Sequence, residues 1–194
     1  MNPSLTDILV IVDTATLATL VADGTLQPGT VNNPQPLNEQ AQSSVLVTLM
    51  AQGSFVSNTS EGVLVVGANS QSQLRWAISG LDSNAAFTPY FCRGLFVYHP
   101  ATFGLPQFSR LVIDNGVPTV MYIPSSTDPQ AKPKKVTNTT QQSKGPTIGA
   151  GDRLWAFLEI NVIDNSTGGE IGYFGWAQSL SVESVPVDPV TPTT

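Results

Sequence analysis

The sequence predicts an all-β protein, an antiparallel sandwich of jelly-roll or immunoglobulin-like type, with long loops and at most one or two short helices. Three observations carry this. Two long apolar runs, Leu154–Ile163 and Ile171–Val182, flank the turn-rich Asp164-Asn165-Ser166-Thr167-Gly168-Gly169 and form a C-terminal hairpin. Short β-branched or aromatic runs recur at close intervals from Val45 to Ile123. Helical spacing is confined to one stretch near the N-terminus.

Asp7-Ile8-Leu9-Val10-Ile11-Val12-Asp13 is apolar on both parities, which places it centrally in a sheet or at a subunit contact. Leu17, Leu20 and Val21 then follow helical spacing, with Asp13 or Thr14 as cap and Gly24 as stop. Residues 23–44, rich in Pro, Asn and Gln, read as a long loop. Strands are expected at Val45–Met50, Gly62–Val66, Leu74–Ile78 and Phe87–Tyr98, the last bent at Gly94. Phe108–Ile113 and Val117–Ile123 flank Asp114-Asn115-Gly116, which reads as a second hairpin, with Pro118 marking an edge strand. Residues 124–152 read as another long polar loop. The chain up to residue 184 is one sandwich domain, and 185–194 is a Pro-punctuated tail expected to be disordered.

The final hairpin divides by parity. Leu154, Ala156, Leu158, Ile160 and Val162 share one face, with Trp155 and Phe157 on the other. In the second strand Phe174, Trp176, Leu180 and Val182 share a parity, opposite Ile171 and Tyr173. The register is open, because a slip of one residue exchanges the faces. Either way both faces carry large apolar groups, so a neighbouring subunit or a long loop is expected to cover the second one.

Charged residues make up 11% of the chain, while 61 of 194 residues are Ser, Thr, Asn or Gln. Such a surface repels its copies weakly, which favours association. The net charge is −6, and all four lysines fall between 132 and 144. That excludes a broad basic face for nucleic acid or an anionic membrane, and the lysine run reads as a solvated loop. No apolar run approaches the ~20 residues of a membrane span. The N-terminus lacks a signal-peptide pattern, and the lone Cys92 suits a reducing compartment, so the default location is the cytoplasm. Three N-x-S/T sequons, at Asn58, Asn138 and Asn165, would matter only in a secreted eukaryotic protein.

Enzyme motifs are absent. His99 is the single histidine, which excludes a multi-histidine metal site, and no Gly-x-Ser-x-Gly or phosphate-binding loop occurs. No cofactor is expected. Asp82 and Asp114 leave Ca²⁺ open, without EF-hand spacing to support it. Sugar binding needs less: a few Asp, Asn or Gln groups for hydroxyls and a ring or aliphatic face for C–H groups. Candidates are Asp82 and Asn84 after the Trp76 strand, and Asp114 and Asn115 at the second hairpin. Plain turn chemistry accounts for the same residues.

Asp7-Ile8-Leu9-Val10-Ile11-Val12-Asp13-Thr14 resembles the start of the bacterial inclusion body protein family, the PixA/AidA family. The closing Gly172-Tyr173-Phe174-Gly175-Trp176, followed by Ser179-Leu180-Ser181-Val182, is similar to its end, and Leu74-Arg75-Trp76 with Leu81 to its apolar–Arg–Trp strand. These matches cover about a quarter of the chain, in the family's order. The sequence departs where the family continues Trp with Asp-Pro, since Ala177-Gln178 follow Trp176, and the lysine-bearing loop looks like an insertion. The resemblance implies a proteobacterial β-sandwich, often under quorum-sensing or late-growth control. Some relatives accumulate as cytoplasmic inclusions, and sugar binding attaches to part of the family. The expectation is a non-enzymatic, homo-oligomeric, lectin-like protein that binds glycans. The alternative is a quorum-sensing-regulated structural or storage protein whose product is the inclusion itself, with no small ligand.

Overall fold

Twelve strands among the described residues build two sheets that face each other across one apolar core. The computed structural model describes residues 4–37, 45–48, 56–58, 63–68, 72–100, 104–123 and 134–184. In chain order these hold β1 (Ser4–Val12), α1 (Thr14–Ala22), β2 (Gln35–Pro36), β3 (Val45–Thr48), β4 (Val56–Asn58), β5 (Val63–Ala68), β6 (Ser72–Gly80) and β7 (Phe87–His99). They continue with β8 (Gln107–Arg110), β9 (Val112–Ile123), β10 (Lys134–Ile148), β11 (Arg153–Asp164) and β12 (Glu170–Ser184). The tail expected beyond residue 184 lies outside the described residues.

One sheet has the order β3-β1-β6-β10-β9 and the other β4-β5-β12-β11-β7-β8, with β2 beside the first half of β12. The expected sandwich forms, and its pairing is mixed: β1 with β6, β12 with β5 and β12 with β2 run parallel. A parallel neighbour needs a long return connection, and these partners lie dozens of residues apart in the chain. The short turn at 165–169 leaves β11 and β12 antiparallel.

The register of that hairpin settles its faces. Leu158 pairs with Trp176, Ile160 with Phe174 and Leu154 with Leu180, so both apolar parities point inward together. Across the core they meet Ile8, Val10 and Val12 of β1, Leu74 and Trp76 of β6, and Ile148 of β10. Trp76 is fully buried, and its ring lies 5.8 Å from that of Phe96 on β7. Helix α1 forms where expected: the Asp13 carboxylate accepts from the Thr16 backbone N–H at 3.0 Å, and Leu17 and Leu20 are buried. β1 is central, paired on both edges.

Two expectations are corrected. Asp114-Asn115-Gly116 is no hairpin turn. β9 runs straight through it, pairing Asn115 with Gln141 and Val117 with Thr140, and Gly116 (φ +100°) is the extra residue of a bulge. The turn reading failed because an Asn-Gly pair serves a bulge as readily as a hairpin, since both need a residue at positive φ. Nor is 124–152 all loop, for Lys134–Ile148 is the fifteen-residue β10. It inserts between β6 and β9, and its Thr, Asn and Gln content hid the strand. Lys134, Lys135 and Lys144 are exposed on that strand rather than in a loop. Pro118 does lie on an edge strand, since β9 ends its sheet. The irregularity in β7 falls at Cys92, two residues before Gly94, where the pairing with β11 shifts.

Trp76→Ala should lower the unfolding free energy by about 3–5 kcal/mol in urea or guanidinium titrations. Trp76→Phe should cost clearly less, because the buried indole Nε1 has no hydrogen-bond partner to lose among the described residues.

Candidate functional site

The outward face of the seven-stranded sheet carries most of the chemistry. Residues opposite one another on β7, β11 and β12 form rows across it: Val97, Trp155 and Ser179, then Leu95, Phe157 and Ala177. Next come Arg93, Glu159 and Gly175, then Tyr90, Asn161 and Tyr173. The face is therefore apolar at one end and polar at the other, with an Arg93–Glu159 ion pair between them. β8 extends the apolar end, placing Phe108 beside Val97 and Arg110 beside Leu95.

A turn stands over the middle of this face. Gly29 bridges to Tyr173, Thr30 and Asn33 exchange backbone hydrogen bonds at 3.0 Å, and β2 returns along Phe174 and Gly175. Gly29 is required there, since a Cβ would lie 2.2 Å from the Gln35 nitrogen. Arg93 donates to the Val31 carbonyl oxygen at 2.6 Å and fixes the turn's tip. Pro34 and Pro36 line a cleft on one side and Val31 lines another on the other, so the turn separates two sites.

The first cleft, of about 640 Å³, has an apolar floor at Leu95, Phe157 and Ala177, with Arg93, Glu159 and Arg110 around it. The second, of about 610 Å³, is lined by Val31, Tyr90, Phe91, Cys92, Ile113, Asn115, Gln141 and Tyr173. Its polar groups are ordered by one another. The Gln141 amide closes the free edge of β7, accepting from the Phe91 N–H at 2.6 Å and donating to the Phe91 carbonyl at 3.0 Å and to Asn115 Oδ1 at 2.9 Å. Behind the cleft, buried Asn161 donates to the Tyr90 hydroxyl at 2.8 Å and to Glu170 Oε1 at 3.0 Å. The Tyr173 hydroxyl donates to the same carboxylate oxygen at 2.7 Å. The buried Asn161 Oδ1 has no hydrogen-bond partner among the described residues.

Protonation here is fixed across the physiological range. The hydrogen bond to Glu170 pushes the Tyr173 phenol up to about 12, and burial, then the neighbouring Cys92, raises Tyr90. Burial, reinforced by the carboxylates of Glu159 and Glu170, pushes the Cys92 thiol up to about 11. Both phenols remain donors and the thiol remains protonated, so the cleft offers hydroxyl, amide and ring-face contacts.

The four residues singled out in the sequence separate. Asn115 lines the second cleft, and exposed Asp114 precedes it on β9 but lines neither cleft. Asp82 and Asn84 sit in the turn between β6 and β7. Asp82 accepts from the backbone N–H of Asn84 at 3.1 Å and of Ala86 at 2.9 Å, and the Asn84 side chain accepts from Gly80 N–H. Ser83 and Asn84 adopt positive φ, and Asn165 Nδ2 ties the turn to the next loop through the Asn84 carbonyl at 2.7 Å. These side chains build the turn. His99 is exposed at the end of β7 and lines neither cleft. Tyr90, Gln141, Asn161 and Glu170 were missed. Asn161 had a readable signal, being the polar residue that continues the outward parity of Trp155 and Phe157. The Gln141–Asn115 contact depends on the pairing of β9 with β10, which composition hid. Among the described residues no cluster of three His, Cys, Asp or Glu could hold a metal ion, and no helix is long and apolar enough to cross a membrane.

Cys92 should label slowly with a neutral thiol reagent at pH 8. A thiol at about 11 rather than the ordinary 9.0 holds about a hundredfold less thiolate. Labelling should accelerate to the ordinary rate once the protein is unfolded. Gln141→Ala should lower stability by about 1–3 kcal/mol in denaturant titrations, because both polar groups of Phe91 lose their partner.

No family model matches the sequence, and no curated protein matches it. The fold does have a solved counterpart. It is similar to the crystal structure of an inclusion body protein (PixA) from Burkholderia cenocepacia J2315, with a TM-score of 0.60 and 14% identity over 94% of this chain and 97% of that one. At that identity the likeness shows the fold, and the chain has a PixA-like β-sandwich fold.

Proposed function

We propose that this is a non-enzymatic, lectin-like protein of the PixA/AidA inclusion body type, and that the cleft between Tyr90, Tyr173, Asn115 and Gln141 binds carbohydrate. The observation that carries the reading is the pairing of two phenol rings with ordered side-chain amides in one cleft. A sugar needs this combination, a flat face for its C–H groups and fixed donors and acceptors for its hydroxyls. The absence of reaction chemistry is part of the proposal. Its support is the protonated Cys92 and the exposed position of His99. A cytoplasmic, oligomeric protein that needs no cofactor is the setting we infer for it.

A second reading has its own observation. Trp155 (47% exposed), Phe157 (45%) and Phe108 (68%) share one outward face, an uncommon display of aromatic surface. A structural or storage protein that works by assembling, as the neighbour's name of inclusion body protein suggests, would use such a face without any ligand. Expression under quorum-sensing control belongs to this reading and is tested by transcript levels across growth phases.

Calorimetric titration with a panel of mono- and oligosaccharides decides between them. The lectin reading expects saturable binding that Asn115→Ala or Tyr90→Ala weakens at least tenfold, about 1.4 kcal/mol. Asp82→Ala, in the turn, should leave affinity unchanged. No heat with any sugar would sink the lectin reading and leave the assembly reading standing.

A further inference from the structure

The outward face of β11 reads Arg153, Trp155, Phe157, Glu159, alternating with the buried Leu154, Ala156 and Leu158. The series is self-complementary about Ala156. Two aromatic residues lie one position to either side, a cation lies three before and an anion three after. Trp155 and Phe157 already stack on each other, with ring centroids 6.4 Å apart. Arg153 has no carboxylate partner among the described residues, and Glu159 has Arg93 alone.

We propose that this face docks a second copy of the same chain about a two-fold axis that lies in the plane of contact and crosses β11 at Ala156. That axis lays each β11 antiparallel over its copy. The partner's Trp155 then enters the cleft floored by Phe157 and Leu95, and the partner's Arg153 meets Glu159. The operation is its own inverse, so both clefts fill and both charge pairs form, as an isologous contact requires. The same axis puts Arg110 on β8 over the partner's Phe108, a cation facing an aromatic ring, since Arg110 neighbours Leu95 and Phe108 neighbours Val97. The Thr30–Asn33 turn is tied to Arg93 in the Glu159 row, so about this axis each turn faces the Arg153 end of the other copy.

Four strands about 4.8 Å apart and seven residues of about 3.4 Å outline a face of roughly 450 Å². That is about half of the ~800 Å² per partner of a standard interface, so the dimer is weak and reversible. The inference does not depend on sugar binding, which uses the other cleft.

Sedimentation equilibrium from about 1 µM to about 1 mM tests it. The mass should climb from the 20.5 kDa of one chain toward twice that value and stop there. Trp155→Ser, at an exposed position, should hold the protein at the single-chain mass with an unchanged circular-dichroism melt. Arg153→Glu and Glu159→Arg should each weaken dimerisation at least tenfold, because each sets like charges opposite. An equimolar mixture of these two variants should recover the affinity, since opposite charges then meet at both ends. A mass fixed at one chain throughout, a dimer or larger assembly indifferent to Trp155→Ser, or a mixture no tighter than its components would overturn the proposal. Sugar titrations on Trp155→Ser and Arg153→Glu, neither of which lines the second cleft, should be unchanged, which keeps the test separate from the lectin reading.

Discussion

The pairing of Leu158 with Trp176 is the constraint on which the rest of this molecule depends. Side chains alternate along a strand, so one aligned pair fixes the direction of every residue in β11 and β12. The inward parity seals the core against β1 and β6. The outward parity then has no choice but to present Trp155 and Phe157 to water, and to line up Glu159, Asn161 and Tyr173 beyond them. Both clefts and the contact face follow from that single register. A one-residue slip would turn Glu159 into the core and expose Leu154, Leu158, Ile160 and Val162, at about 1.5–3 kcal/mol for each large apolar group, offset only in part by burial of Trp155 and Phe157.

Much of the sandwich was legible because its inner strands obey simple physics. The alternation in β11 and β12, the doubly apolar β1 and the Asp13 cap of α1 are each strong local signals that agree with the final packing. What was illegible depends on partners distant in sequence. β10 is a strand because β6 and β9 hydrogen-bond both its edges, not because Thr, Asn and Gln favour one. Asn115-Gly116 is a bulge because Gln141 and Thr140 continue the ladder past it. The site suffers in proportion. Of the residues singled out in advance only Asn115 lies in a cleft, while Asp82 and Asn84 are consumed by their own turn.

The three segments that resemble the inclusion body family are neighbours in space, which gives the resemblance physical content. Asp7 of β1 lies directly opposite Arg75 of β6, and the two side chains join in a two-pronged ion pair on the outer side of the five-stranded sheet. The carboxylate holds the Arg75 guanidinium above its ordinary range. On the inner side the adjacent Ile8 and Trp76 also pair and face the core that Trp176 closes from the other sheet. One strand pair thus explains why an acid precedes the first apolar run and why an arginine precedes the tryptophan.

Tryptophan fluorescence quenching by iodide, in protein dilute enough to be monomeric, tests the hairpin register most directly. Of the three indoles, Trp76 and Trp176 face the core and Trp155 faces water. The account predicts a single quenchable component that disappears in Trp155→Phe, with the remaining emission inaccessible. Emission from Trp176 or Trp76 that iodide reaches freely, or a Trp155 shielded in the monomer, would contradict the register and every site built upon it.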